Sequence, residues 1–177
     1  MFHRTTRLFL RPAWPEDWEA VLGGIADEGV VRNLARAPWP YGPEEARTFV
    51  SRAQDPCFPN FLLIRADTGQ AIGSAGLGEH EDGVELGYWI ARTSWGRGYA
   101  TEAGAGVLEI ARLLGHRRVS AGHFVDNPAS GRVLRKLGFM PTGLTRPRFS
   151  CARAGEVPAH EYVLDLDSES APQMRAA

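Results

Sequence analysis

The sequence predicts a mixed α/β (α+β) domain built around one sheet, and three observations predict it. Short apolar runs of strand length, FLLI at 61–64 and VELGYWIA at 84–91, are bounded by turn residues. Two later segments carry helical spacing instead, with Ala103, Val107, Ile110 and Leu114 on one stripe and Val133, Leu134 and Leu137 on another. The resulting order is strand, helices, three strands, helix, strand, helix, two strands, which makes a sheet with helices packed on it.

Taken in order, Thr6 to Arg11 alternates through Leu8 and Leu10 as an opening strand, and Pro12 ends it. Pro15, Glu16 and Asp17 suit the first turn of a helix. Helical pieces follow at Val30 to Ala35 and Pro43 to Ala53, separated by the loop APWPYGP. FLLI, the turn DTGQ, AIGSAGL, the turn EHEDG and VELGYWIA then read as three successive antiparallel strands. The long helix after them closes at Gly115, a C-cap residue. RRVSAGHF, residues 117–124, is a strand. The next helix opens at Asp126 or Asn127 with Pro128 in its first turn. Strands at Phe139 to Leu144 and Val157 to Leu166 complete a single domain over residues 1–167, and the polar tail 168–177 is expected to fray.

Composition narrows the function. With 177 residues, 44% hydrophobic, 23% charged and a net charge of -1, the chain lacks the surplus of positive charge that nucleic-acid binding uses. Cys57 and Cys151 form no metal spacing and no disulfide framework, and the five histidines are scattered, so no metal is expected. No apolar run reaches the roughly 20 residues of a membrane span, and the first residues lack a signal-peptide cleavage site, so a cytoplasmic protein is expected. No heptad or apolar stripe announces an interface, which leaves monomer and homodimer open.

The stretch SWGRGYATEA, residues 94–103, puts two glycines and an arginine before a run of helix formers. Glycine costs a helix roughly 1 kcal/mol against alanine, so its use there indicates that the backbone itself is needed. Free N–H groups at a helix start, with the positive end of its dipole, suit a phosphate. A dinucleotide fingerprint fits these residues less well: the third glycine is missing at its offset, and no acidic residue ends a strand about 20 residues on. A tight turn with no ligand is the other reading.

ELGYWIARTSWGRGYATEA, followed after a helix and a strand by DNPASGRVLRKLGF, resembles the GNAT superfamily of acetyl-CoA-dependent N-acetyltransferases, and within it the RimJ/RimL-type branch that acetylates ribosomal-protein N-termini. The resemblance spans residues 5 to 166. It implies a mixed, mostly antiparallel sheet of about six or seven strands, helices on both faces, and central strands that splay near Ile90 and Val119. It also implies acetyl-CoA as cosubstrate and an amine as acceptor, with no nucleic acid or membrane as partner. Gly96, Arg97 and Gly98, flanked by Trp95, Tyr99, Ala100 and Thr101, match the family's phosphate loop, although Trp95 stands where that loop carries glutamine or arginine. Main-chain groups of Trp89, Ile90 and Ala91 are implied to bind the pantetheine and polarise the thioester carbonyl. Asn127 is implied to reach the same arm while also capping its helix, and Ser130 and Arg132 complete the cofactor set.

For the chemistry, no Ser-His-Asp or Cys-His arrangement is evident, which fits direct attack by the amine in a ternary complex. Glu85 matches the position of a base that deprotonates the amine. Many relatives carry a tyrosine as general acid where this chain has Leu134, and Ser130 matches the serine proposed for that proton in the ribosomal-protein branch. His123 reads either as a second base or as a buried strand histidine. Trp39, Pro40 and Tyr41 occupy the loop where the family builds its acceptor pocket, and a surface proline turn with packed aromatics is the default reading of them. A peptide N-terminus is the expected acceptor. Small amines such as an antibiotic, amino acid or polyamine, and a non-catalytic acyl-CoA module, are the alternatives.

Overall fold

A computed structural model describes residues 1–80 and 83–167; the expected fraying tail at 168–177 and part of the EHEDG turn lie outside the described residues. The strands are β1 (His3–Arg4), β2 (Leu8–Arg11), β3 (Asn60–Arg65), β4 (Ala71–His80), β5 (Gly83–Ile90), β6 (Arg118–Phe124), β7 (Met140–Ser150) and β8 (Gly155–Asp165). The helices are α1 (Trp18–Ile25), α2 (Glu28–Val31), α3 (Pro43–Val50), α4 (Tyr99–Leu113) and α5 (Pro128–Lys136). The strands form one sheet in the order β1-β2-β3-β4-β5-β6-β8-β7. The predicted seven strands are present, and the two-residue β1 adds an eighth by pairing with β2.

Among the described residues every strand pairing is antiparallel except β5 with β6, which run parallel and meet at one register pair, Glu85 with Ser120. From that pair towards Ile90 and Phe124 the two strands carry no further ladder, which is the expected splay. Side chains alternate across the sheet with period two. On one face Phe61, Leu63, Val84, Leu86 and Ile90 pack with Ala103, Val107 and Ile110 of α4 and Leu134 of α5. On the other, Leu62 and Trp89 pack with Val21, Ile25, Val30, Val31, Ala46 and Val50 of α1 to α3. Two cores therefore sandwich the sheet, and the splay lies between them.

Element boundaries differ from expectation at three places. A 3-10 turn, Pro15–Asp17, precedes α1, where Asp17 accepts from the Trp14 amide at 2.7 Å. α2 is one turn, ending at Val31 rather than Ala35. β7 runs to Ser150 instead of Leu144, with a register shift between Pro141 and Thr145. It forms the sheet edge and is exposed along nearly its whole length, so it shows no clean apolar alternation and tolerates Pro141 and Pro147. Gly115, at φ +82°, stops α4 as predicted, its amide bonding the Arg112 carbonyl.

Candidate active site

The splay opens into a cleft of about 910 Å³, lined from β5, β6, the α4 entrance, one face of α5 and residues 29–35. That size suits a small-molecule site. Three groups of side chains and amides converge on it.

At the α4 entrance, Gly96 and Gly98 hold φ of +73° and +80°, a left-handed backbone that other residues adopt only at a cost of roughly 1–2 kcal/mol. Among the described residues the amides from Gly96 to Thr101 have no intramolecular acceptor, and α4 has no side-chain cap. These donors and the helix dipole face the cleft, a ready anion site. Trp95, Gly96, Gly98, Tyr99, Ala100 and Thr101 all line it. Arg97 does not: its carbonyl accepts from Arg7 Nη1 at 3.0 Å, which ties the loop to the start of β2. Glu102, in the first turn of α4, reinforces that tie by accepting from Arg7 Nε at 2.7 Å and Thr5 Oγ1 at 2.6 Å. Trp95 uses its indole N–H on the Ile90 carbonyl, 2.6 Å away, so the residue that departs from the family pattern locks the loop to the end of β5.

The second group is the rim of β5. The Ala91 amide donates to the Ile72 carbonyl at 2.8 Å. Because antiparallel ladders alternate, and Trp89 lies opposite Ser74, the Trp89 amide also faces β4. The free-facing amides along the splay are therefore those of Tyr88 and Ile90. Of the expected Trp89 to Ala91 set, only Ile90 presents its N–H to the gap; the other two amides are engaged in the sheet, and Ala91 does not line the cleft.

The third group spans the β6–α5 junction. Asn127 Oδ1 accepts from the Ser130 amide at 3.3 Å and so caps α5, which leaves its Nδ2 hydrogens facing the cleft wall. Ser130 Oγ lies 2.7 Å from Tyr88 Oη. Burial pushes the Tyr88 phenol up to about 12, against the smaller opposing effect of its contact with Ser130. Arg132 and Lys136, one turn apart on α5, add positive charge to the lining.

On the opposite face of β5, Glu85 is held in a two-pronged ion pair by Arg148 of β7, with Nη1 to Oε1 at 2.5 Å and Nη2 to Oε2 at 2.7 Å. The Glu85 side chain is 14% exposed and Arg148 34%. The contact with Glu85 raises the Arg148 guanidinium further above its usual range. Asp126, also in the lining, is bound by Arg153 at 2.9 and 3.0 Å and by Arg32 at 3.0 Å. Arg153 chiefly holds its carboxyl below the usual carboxylate range. Arg153 Nε also reaches the Arg32 carbonyl, and the Cys151 amide bonds the Ala35 carbonyl, so the turn after β7 clamps the segment after α2 over the cleft.

His123 lines the cleft but is buried, with Nδ1 2.8 Å from the Phe124 carbonyl. Desolvation chiefly lowers its basicity, aided by nearby His160 and Arg135 and opposed by the contact with the Phe124 carbonyl. Trp39, Pro40 and Tyr41 are not in the lining. Tyr41 packs in the α1–α3 core instead, and the segment 29–35 forms the wall expected of that loop. Tyr88, Arg148 and Arg32 were not singled out from the sequence, and Asp126 only as a candidate helix cap, a place that Asn127 takes. Arg148 is 63 residues from Glu85 and only the β7–β8 hairpin brings it back.

The chain is similar to known proteins in sequence and in fold. A family model described as "Acetyltransferase (GNAT) domain" matches residues 7–140. An uncharacterized N-acetyltransferase, YoaA, of Bacillus subtilis (strain 168) is 31% identical over 156 residues, covering 80% of this chain and 84% of that protein. A proposed ribosomal-protein-serine acetyltransferase from Vibrio cholerae superposes with a TM-score of 0.74 at 18% identity, over 93% of this chain and 97% of that one. yncA, a proposed acetyltransferase from Salmonella typhimurium solved with its cofactor acetyl-CoA, gives 0.69 at 21% identity, over 96% and 99%.

Proposed function

The chain belongs to the GNAT acetyltransferase family, whose members use acetyl-CoA, and from that premise we propose that this N-acetyltransferase modifies the α-amine of a peptide or protein N-terminus, as in the RimJ/RimL-type branch. The observation that carries the reading is the Glu85–Arg148 pair. The guanidinium occupies both Glu85 oxygens, so the lone pairs that would take an amine proton are already engaged. An α-amine at about 7.7–8.0 is roughly a tenth neutral at pH 7, whereas lysine at about 10.4 needs on the order of 3–4 kcal/mol more to lose its proton. A carboxylate so engaged serves the first amine more readily than the second. Asp126 is likewise held by two arginines, so neither carboxylate in the lining is free to hold the second charge of a polyamine.

In this reading residues 1–167 act as one catalytic domain in the cytoplasm. The α4 amides, with Arg132 and Lys136, take the phosphates of acetyl-CoA. Asn127 Nδ2 reaches the pantetheine arm. The Tyr88 and Ile90 amides face the thioester oxygen, a type of contact that contributes about 100- to 1000-fold when preorganised. Glu85, on the other face of β5, receives the amine proton directly or through water. The amine attacks the carbonyl carbon, the C–S bond breaks with its electron pair to sulfur, and Ser130 donates to the departing thiolate. Base and acid thus stand on opposite faces of the strand, joined by the splay.

The test is a peptide that carries both a free N-terminus and an internal lysine, incubated with enzyme and acetyl-CoA and sequenced by mass spectrometry. Acetyl on the α-nitrogen supports the reading. Acetyl confined to the lysine overturns it.

A further inference from the structure

Ser130 has one proton and, in this structure, one hydroxyl neighbour. Its Oγ is 2.7 Å from Tyr88 Oη, a distance at which one of the two must donate to the other. If Ser130 donated, its proton would point into the α5–β5 packing and nothing would be left for the cleft. The chemistry of the two groups decides the direction. A phenol is the more acidic hydroxyl and the stronger donor, while an aliphatic hydroxyl oxygen is the better acceptor. Partial burial keeps the phenol protonated throughout the neutral range. Its other acceptor, the Ser130 carbonyl, is farther away at 3.4 Å.

The tyrosine is well placed to act in this way. Tyr88 and Glu85 are three residues apart on β5 and so face opposite sides of the sheet. Tyr88 packs beside the α4–α5 core, and Ser130 sits in the first turn of α5, its amide fixed by Asn127. The hydroxyl pair therefore has two rigid supports.

We propose that Tyr88 is a positioning residue for acetyl transfer: by donating its hydroxyl to Ser130 Oγ, it turns the Ser130 proton towards the cleft and the leaving sulfur. This rests on the reading of Ser130 given above. When the C–S bond breaks, sulfur takes the electron pair and the Ser130 proton, Oγ regains a proton through cleft water, and the amine proton held by Glu85 passes to that water, so the protons balance. Tyr88 itself stays protonated throughout. The Leu134 side chain carries no polar atom and cannot give that proton, so the donor is Ser130, one turn earlier on α5, and the strand supplies only the hydroxyl that orients it.

The test compares Tyr88→Phe, Ser130→Ala and the double variant in thiol release from acetyl-CoA, with a short free-N-terminus peptide as acceptor. If the peptide is not acetylated, slow hydrolysis of acetyl-CoA gives the same readout. Losing one orienting hydrogen bond should lower kcat about 3- to 10-fold in Tyr88→Phe and leave the KM for acetyl-CoA unchanged. Ser130→Ala should lower kcat by about 100-fold or more, and the double variant should be no slower than Ser130→Ala alone. Unchanged kcat in Tyr88→Phe, a loss that appears in KM, or a Tyr88→Phe loss that persists in full on the Ser130→Ala background overturns the inference. Unchanged kcat in Ser130→Ala instead removes Ser130 itself, so the two failures are told apart. If Tyr88→Phe fails to fold, 3-fluorotyrosine at position 88 keeps the hydroxyl as a stronger donor. Its kcat should then equal or exceed that of the wild type, and a fall in kcat overturns the inference.

Discussion

Replacing Arg148 with methionine removes the guanidinium from Glu85 while keeping most of the aliphatic stem. Glu85 is then a carboxylate with 14% of its side chain in solvent and neither of its two Arg148 hydrogen bonds. Breaking a fully buried pair from one side costs about 3–5 kcal/mol, and because a third of Arg148 is exposed the expected loss here is about 2–3 kcal/mol. For a chain of this length that is a fall in Tm of roughly 4–12 °C. Glu85→Gln combined with Arg148→Met removes both charges, and replacing both partners is nearly neutral, so the double variant should regain at least about half of the lost stability. Thermal unfolding of the wild type, both single variants and the double variant at pH 7 gives the coupling directly. A Tm within about 1 °C of wild type for Arg148→Met, or fully additive single-variant losses, would refute the pair as an energetic unit and with it the claim that Arg148 keeps both Glu85 oxygens engaged.

Gly98→Ala forces a side chain onto a φ of +80°, although the new Cβ meets only Arg7 Nη2 at 3.5 Å, so strain of about 1–2 kcal/mol is the whole cost and the KM for acetyl-CoA should rise more than kcat falls. Calorimetric titration with coenzyme A checks it; unchanged affinity counts against the loop as the anion site. The raised Tyr88 phenol means the folded state holds a proton that the unfolded state loses above pH 10. Stability should therefore decline between about pH 10 and 12, and Tyr88→Phe should flatten that decline in denaturant titrations. His123 shifts the other way: its folded form resists protonation, so its contribution is present above pH 6.5 and lost on acidification below it. A His123→Asn variant should lose less stability between pH 7 and 5 than the wild type, as followed by circular dichroism.

The fold and half of the site could be read from local pattern. The glycines of the α4 entrance, the Asn127 cap and the helical stripe of Ala103, Val107 and Ile110 announce themselves because each depends on neighbours within a few residues. What escaped depends on distant chain segments. Arg148 reaches Glu85 only through an exposed edge strand whose side chains show no periodicity. Tyr88 looked like one more residue of an apolar strand, and its role rests on Ser130, 42 positions away. Which amides of β5 face the gap is a matter of ladder register, set by the pairing with β4 and invisible in residue type. The loop at Trp39 to Tyr41 carried two readings, an acceptor wall by resemblance and a proline turn with packed aromatics by default, and Tyr41, 8% exposed, packs in the core as the second has it.

The central claim is that this acetyltransferase prefers an α-amine, and the most direct measurement is kcat/KM by thiol release for two matched peptides. One has a free N-terminus and no lysine; the other is N-terminally blocked with one lysine. Turnover of the first at least about 100-fold above the second is the predicted result, in line with the difference in neutral amine at pH 7. Equal rates, or a faster blocked peptide, would contradict the account.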